Sequence, residues 1–435
     1  MILSSDRRSA RLLVGLLAHT DGAIDADALR AAADAVVARH PGLGVLPGRG
    51  PRTGSWTRPI GRPVVGLDEV SFGERDTWCL FERLLSEPFD LARAPGIRLL
   101  VTHRPEGDVV ALVAHHLLLD GRSALALFTE ILTAVASPAT GPAAPPGPAR
   151  ATVVNPAWAA PRGARNPLPY RVVRAVRGRL VTRLDVPARH ITPTGAAGTV
   201  GYGVYPMTLP VPDQAVPDRP ATDAPGPTVN DLLLAACHLA VARWNDEHGR
   251  RTGVLQVRMP AAGPVDAGGE GASLGNHTGQ SVIVSAPEDR AEPRALRGRV
   301  VEQSRRVKNE GASAAAGHSG AVAEAVAAVM PARPLGLLLR AAVTTARFVV
   351  APSAAVSNLG RVPEDLTVGA GGPRVVAISF AGTAGPPQGL VIGVTRVGAT
   401  LRLTFCHHLA MLDRAGAEAF ATVFRLAFDE VSRAR

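Results

Sequence analysis

Apolar residues recur along this chain in two rhythms, and the changes from one to the other mark its elements. Arg11 to Ala18 is nearly continuous apolar sequence ending at Asp21-Gly22, a strand followed by a turn signal. Asp25 then stands where a helix N-cap belongs, with Leu29, Ala33, Val36 and Val37 on one face and His40-Pro41 as the stop. Gly48 to Pro63 is rich in Gly, Pro and Arg and predicts a loop. Thr77 to Leu85 places Trp78, Phe81 and Leu85 at helical spacing. Ile97 to Thr102 and Val109 to Ala114 are short apolar runs that predict two more strands.

Beyond residue 137 the pattern breaks. Seven prolines between Pro138 and Pro161 exclude both helix and central strand, so the chain divides into residues 1–136, a linker over 137–168, and a second half over 169–435. Arg171, Arg174, Arg177, Arg179 and Arg183, interleaved with valines and Leu180, fit a solvated amphipathic helix better than a phosphate- or membrane-contacting one. Gly201 to Leu209 alternates like a strand, and Pro210 to Pro227 is a second proline-rich loop. Val229 to Trp244 carries a broad apolar face, with Asn230 and Asp231 in its first turn, where an acid also suits the helix dipole. Strands are predicted over Val254–Met259, Ser281–Ser285, Phe348–Pro352, Val375–Ala381, Gly389–Thr395 and Thr400–Cys406, the last two a hairpin through Gly398. Helices are predicted over Ala291–Asn309, Ala321–Val329, Leu335–Ala346 and Ala417–Val431, and a glycine-rich loop over Ala261–Gly275.

Composition narrows the function classes. The hydrophobic content of 46% excludes a disordered chain, and 435 residues are enough for two domains with their own cores. The net charge of +10 comes almost wholly from arginine, Lys308 being the sole lysine, and no RNA- or DNA-binding motif accompanies it, so nucleic acid is not an expected partner. Cys79, Cys237 and Cys406 lie far apart, which indicates neither a zinc site nor a disulfide framework and fits a reducing cytoplasm. Neither a signal peptide nor a membrane span is predicted.

The chemistry concentrates at His115-His116-Leu117-Leu118-Leu119-Asp120-Gly121, between the buried strand Val109–Ala114 and a helix carrying Leu125, Phe128 and Leu132. A histidine is suited to general-base work because its ordinary pKa lies near neutral pH. Adjacent histidines on extended backbone point to opposite faces, which disfavours shared metal ligation. The Gly-x-Ser-x-Gly elbow of a serine hydrolase is absent.

This H-H-x-x-x-D-G string, in this setting, resembles the chloramphenicol-acetyltransferase-like superfamily of condensation domains, polyketide-associated acyltransferases and wax ester synthase/diacylglycerol acyltransferases. Further stretches are similar in the family's order: Leu29-Arg30-Ala31-Ala32 to Arg39-His40-Pro41, Pro88-Phe89-Asp90-Leu91 with Pro95 and Arg98, Thr228-Val229-Asn230-Asp231, Leu274-Gly275-Asn276, and Val356-Ser357-Asn358-Leu359-Gly360. The resemblance implies an α/β (α+β) fold of two acetyltransferase-like subdomains, a V-shaped pseudo-dimer with a central cleft. It implies His116 as the base, His115 as a loop-shaping partner, and Asp120 turned inward to pair with an arginine, for which Arg258 is the expected partner. Gly121 leaves the reacting carbonyl unobstructed and permits a turn closed to other residues. Asn276, Ser357 and Asn358 are expected at the substrate cleft, and Asn230, Asp231 and Arg258 as structural residues.

The implied activity is acyl transfer from an acyl-CoA or a phosphopantetheinyl carrier-protein thioester to a hydroxyl or amine of a small-molecule acceptor, by a monomer without a bound cofactor or metal. An amide-forming condensation enzyme and a non-catalytic recruitment domain share every residue named. Pro95-Gly96-Ile97 and Gly44 depart from the wax-ester-synthase pattern, which leaves the acceptor open. His407-His408 ends a second strand before a second helix, but Asp413 falls one residue late for the motif, so this copy is expected to be degenerate and structural.

Overall fold

A computed structural model describes residues 11–44, 46–47, 56–57, 66–71, 74–89, 96–136, 187–213, 215, 226–261, 274–276, 279–310 and 351–434. The predicted linker, the arginine-rich helix and the helices predicted over 321–329 and 335–346 lie outside these residues.

The first sheet has the order β11-β1-β6-β5-β4, with β1 (Leu13–Thr20), β4 (Gly66–Ser71), β5 (Ile97–His103), β6 (Val109–His115) and β11 (Val375–Gly382). Its neighbours are antiparallel except β4 with β5. The second sheet has the order β7-β13-β12-β10-β8-β9, with β7 (Tyr202–Pro210), β8 (Leu255–Ala261), β9 (Gly279–Ser285), β10 (Ala354–Arg361), β12 (Leu390–Val397) and β13 (Thr400–His408). Here β10 runs parallel to β12 and β8, and the other pairs are antiparallel. A small ribbon joins β2 (Leu46–Pro47), just before the stretch read as loop, to β3 (Trp56–Thr57), inside it.

The two sheets repeat one pattern. The path β1-β6-β5-β4 is antiparallel, antiparallel, parallel, and so is β7-β13-β12-β10. In both, the second strand of the path runs into a helix, α3 (Gly121–Thr133) or α6 (Arg414–Arg433). The chain nevertheless crosses over: β11 lies in sequence between β10 and β12 yet pairs with β1 in the first sheet, Leu16 opposite Phe380.

Burial explains the sequence patterns. β6 is buried along its whole length because both faces are covered: Val110, Leu112 and Ala114 pack under α1 (Ala26–Arg39) and α3, while Val109, Ala111 and Val113 pack against α2 (Glu74–Ser86). Helix α2 carries Phe81, Leu84 and Leu85 into a core shared with Tyr202, Val204 and Cys406 of the second sheet, so it is wedged between the lobes. Helix α4 (Val229–Glu247) has a mostly apolar sequence and is buried nearly all round, not on one face, because the second sheet, α5 (Pro293–Glu310) and α6 enclose it. The β12–β13 hairpin turns at Gly398, φ +55°, as its sequence requires.

Candidate active site

The motif sits where β6 leaves the first sheet. Backbone bonds hold its start: the His115 N–H donates to Gly96 O (2.7 Å) and the His116 N–H to Leu12 O (2.9 Å). The chain then tightens, Leu118 N–H donating to His115 O (2.9 Å), and Asp120 opens α3 by accepting from the Ser123 N–H at 2.8 Å. Gly121 is the first residue of α3 and does not adopt a left-handed conformation. Its need for glycine is therefore one of space: a Cβ there would stand 2.8 Å from Leu359 Cδ2 and 3.0 Å from Phe380 Cζ.

The two histidines differ in kind. His115 is 2% exposed; its Nδ1 accepts from the Leu117 N–H (3.2 Å), and its ring meets Phe89 edge-on at 6.3 Å. Arg98 in turn lies over the Phe89 ring at 4.1 Å and donates to Pro88 O, which gives the Pro88-Phe89…Arg98 stretch a role in fixing the loop. His116 is half-buried. Its Nδ1 is sealed without a hydrogen-bond partner, while Nε2 is neither sealed nor bonded to any described residue. Burial lowers its pKa below the ordinary histidine value; its own backbone and, less strongly, Asp120 work against that shift, and His115 and Arg258 reinforce it. The imidazole is thus neutral at pH 7, with one nitrogen open, which is the state a base requires.

The second lobe closes on this loop. Asn276 Nδ2 donates to His116 O at 2.6 Å, the Asp120 N–H donates to Gly275 O (3.1 Å), and the Gly275 N–H to Ser123 Oγ (3.3 Å). Ser357 and Asn358 lie on β10 just before Leu359, which reaches Gly121. No described contact joins either to His116; Asn358 Oδ1 accepts from the Gly360 N–H at 2.9 Å, at a glycine with φ +85°. Asn230 and Asp231 are elsewhere: Asp231 completes a capping box with Thr228 and accepts from Ser304, and Asn230 Nδ2 contacts Met259 Sδ at 3.2 Å.

Two expectations change. Among the described residues no ion pair joins Asp120 to Arg258, because the Asp120 carboxylate is turned onto the N-terminus of α3. The second copy is also not displaced by a residue. His408 Nδ1 accepts from the Ala410 N–H (3.1 Å) as His115 does from Leu117, the Met411 N–H donates to His408 O (2.7 Å), and Asp413 caps α6 through the Gly416 N–H (2.7 Å). His408 therefore matches His115, Asp413 matches Asp120, and the position of His116 is held by Leu409.

No family model matches the sequence. Two uncharacterized proteins of Mycobacterium tuberculosis are 28% identical over 244 residues, 54% of this chain and 53% of theirs, so the match spans about half the length of these curated relatives. Among solved structures, the starter condensation domain of rhizomide synthetase, in a mutant form in complex with C8-CoA and Leu-SNAC, superposes with a TM-score of 0.57 at 14% identity, covering 99% of this chain and 91% of that one. The chain has the condensation-domain fold. The first condensation domain of the calcium-dependent antibiotic synthetase, with a substrate analogue, gives 0.55 at 17% identity, covering 98% and 92%. An epimerization domain of tyrocidine synthetase B gives 0.50 at 14% identity, covering 98% and 93%. The condensation-domain fold thus hosts more than one chemistry, and activity has to be argued from the site.

Proposed function

We propose that this chain catalyses acyl transfer from a thioester to a hydroxyl or amine, with His116 as the general base. The observation that carries this is the His116 ring itself, its pKa lowered by burial and its Nε2 open, on a backbone that Asn276 ties to the second lobe through His116 O. The acceptor's proton passes to Nε2 as its oxygen or nitrogen bonds to the thioester carbonyl carbon. The tetrahedral intermediate then expels the thiolate, which recovers that proton from the imidazolium. His115 shapes the loop, Asp120 and Gly121 set the start of α3 beneath it, and Ser357 and Asn358 line the approach beside Leu359. The donor is an acyl-CoA or a carrier-protein thioester that the protein holds as co-substrate, and a single chain suffices because both lobes belong to it.

The deciding experiment is His116→Ala assayed for loss of an acyl-CoA against a panel of amines and alcohols, with circular dichroism as the fold control. Loss of turnover with an intact fold is expected. Unchanged turnover eliminates this mechanism, and absence of turnover in wild type leaves the recruitment reading. Amide formation between two carrier-bound chains is favoured only by the condensation-domain neighbours, and intact-mass analysis of the products distinguishes it.

A further inference from the structure

Strand β8 places one charge in an unusual setting. Val257 and Met259 turn into the core under α4, so Arg258 between them faces the opposite side of the sheet, in register with Ala355 of β10. On that side its row continues through Val391 of β12 and Cys406 of β13, neutral and buried. Arg258 is half-buried, enough to lower its pKa, yet none of its nitrogens bonds to a described residue and none is sealed. A half-buried guanidinium whose N–H groups are open and unpartnered is set to receive an anion that arrives from solution. Its charge reaches His116, where it opposes protonation. The charged groups that act on His116 are Asp120, His115 and Arg258; Asp120 is engaged with α3, and Arg258 is the one left unmatched.

We infer that Arg258 binds a carboxylate on the substrate, so that the acyl group or the acceptor is itself an acid. This rests on the acyl-transfer reading of His116 and narrows its substrate class. The phosphate of a phosphopantetheine arm is not the ligand, since the whole length of pantetheine separates it from the thioester that must stand at His116. A carboxylate matches the planar guanidinium fork and can accept two parallel hydrogen bonds from it.

The test is a titration of His116 by NMR of histidine-labelled protein, its signal assigned by its loss in H116A, with ~100 mM butyrate or with butyramide at matched ionic strength, enough to fill a millimolar site. Butyrate should raise the His116 pKa by about one unit, the effect of a unit charge ~10 Å away in an effective dielectric of ~20, and butyramide should leave it in place. Arg258→Gln should raise that pKa without ligand and abolish the response; Arg258→Lys, which keeps the charge, should retain part of it. Adding a butyl-CoA thioether separates the sources: butyrate still bound puts the acid on the acceptor, and butyrate displaced puts it on the acyl group. An equal butyrate response in wild type and R258Q, or none in wild type, overturns the assignment. So does loss of turnover in R258Q that is equal for acidic and neutral substrates. The readout needs no turnover, so failure of His116 as a base would appear separately, in H116A.

Discussion

Gly121→Ala tests the claim that the lobes interlock at the start of α3. The added methyl would stand 2.8 Å from Leu359 Cδ2 and 3.0 and 3.2 Å from Phe380 Cζ and Cε2, all tighter than ordinary contact. The Phe380 ring is buried at 2% exposure and has nowhere to retreat, so Leu359 or the loop must move. Overpacking of this kind costs ~1–3 kcal/mol, against which alanine's better helix propensity returns up to ~1 kcal/mol. A net loss of about 1–2 kcal/mol is expected, read as a lower denaturant midpoint at unchanged slope. Turnover should fall further, because a shift of ~1 Å in the His116 loop can cost ~100-fold in rate. Leu359→Ala removes the clashing methyl, so the double variant G121A/L359A should be more stable than the sum of the single effects by at least ~0.5 kcal/mol. Strict additivity, or a G121A protein as stable as wild type, would refute the interlock.

Three other outcomes follow from titratable groups. Because burial lowers the His116 pKa, the acid limb of kcat/KM should fall below pH 6.5 and the profile should be flat through neutrality; a limb centred at or above 6.5 contradicts the neutral base. His103 is shifted the other way: burial alone would lower its pKa, but hydrogen bonds to Asp108 (2.7 Å) and Glu69 (3.0 Å) carry it above the ordinary histidine value of 6.5. Its contribution to stability is fully present below pH 6.5 and lost as pH rises through the raised folded value, so wild type should exceed H103Q in stability at pH 6 and converge with it at pH 9, less so in high salt. Burial holds the Cys237 thiol up at about 12 and raises Cys406 as well, while Cys79 is exposed, so mass spectrometry after native alkylation should show modification at Cys79 alone.

What the sequence disclosed and what it hid divide along one physical line. β6, its histidines and α3 were legible because each is specified locally: an apolar run, a tight turn, an Asp cap and an apolar stripe at helical spacing. The same holds for α1 with its Asp25 cap and for the β12–β13 hairpin with Gly398. Pairing is not local. Val375–Ala381 reads as a strand from its own residues, but nothing in them reveals that it leaves its neighbours β10 and β12 to pair with β1. β4 escaped notice altogether, since an edge strand carrying Asp68 and Glu69 lacks the apolar run that marked β5 and β6. The histidine of α4 is a further case: His238 lies wholly buried with Nδ1 at 2.8 Å from Ser285 Oγ, which Arg290 also engages, a polar cluster assembled from three separate elements. The resemblance places Asn276 at the cleft, and only the position of His116 O shows that it ties the lobes together.

The two half-sites differ in what closes them, although one architecture is repeated. Each loop is closed by the opposite lobe, but by different material. The first is held by residues 274–276, which bond to the backbone of His116 and Asp120 and leave the Nε2 side of the ring free. The second is closed by α2: Ser86 Oγ accepts from the Tyr202 N–H at 2.9 Å, Glu82 accepts from the Val204 N–H and pairs with Arg414 at 2.8 Å, and Leu409 lies against Gly201 and Gly203. Arg414 occupies the place of Gly121, so where the first copy makes room for the partner lobe the second reaches out to grip it. Leu409 has no proton-accepting group, so this loop carries no counterpart of the His116 ring. A leucine there serves cohesion instead, and the cohesion at that seam is what holds the other seam in register for His116.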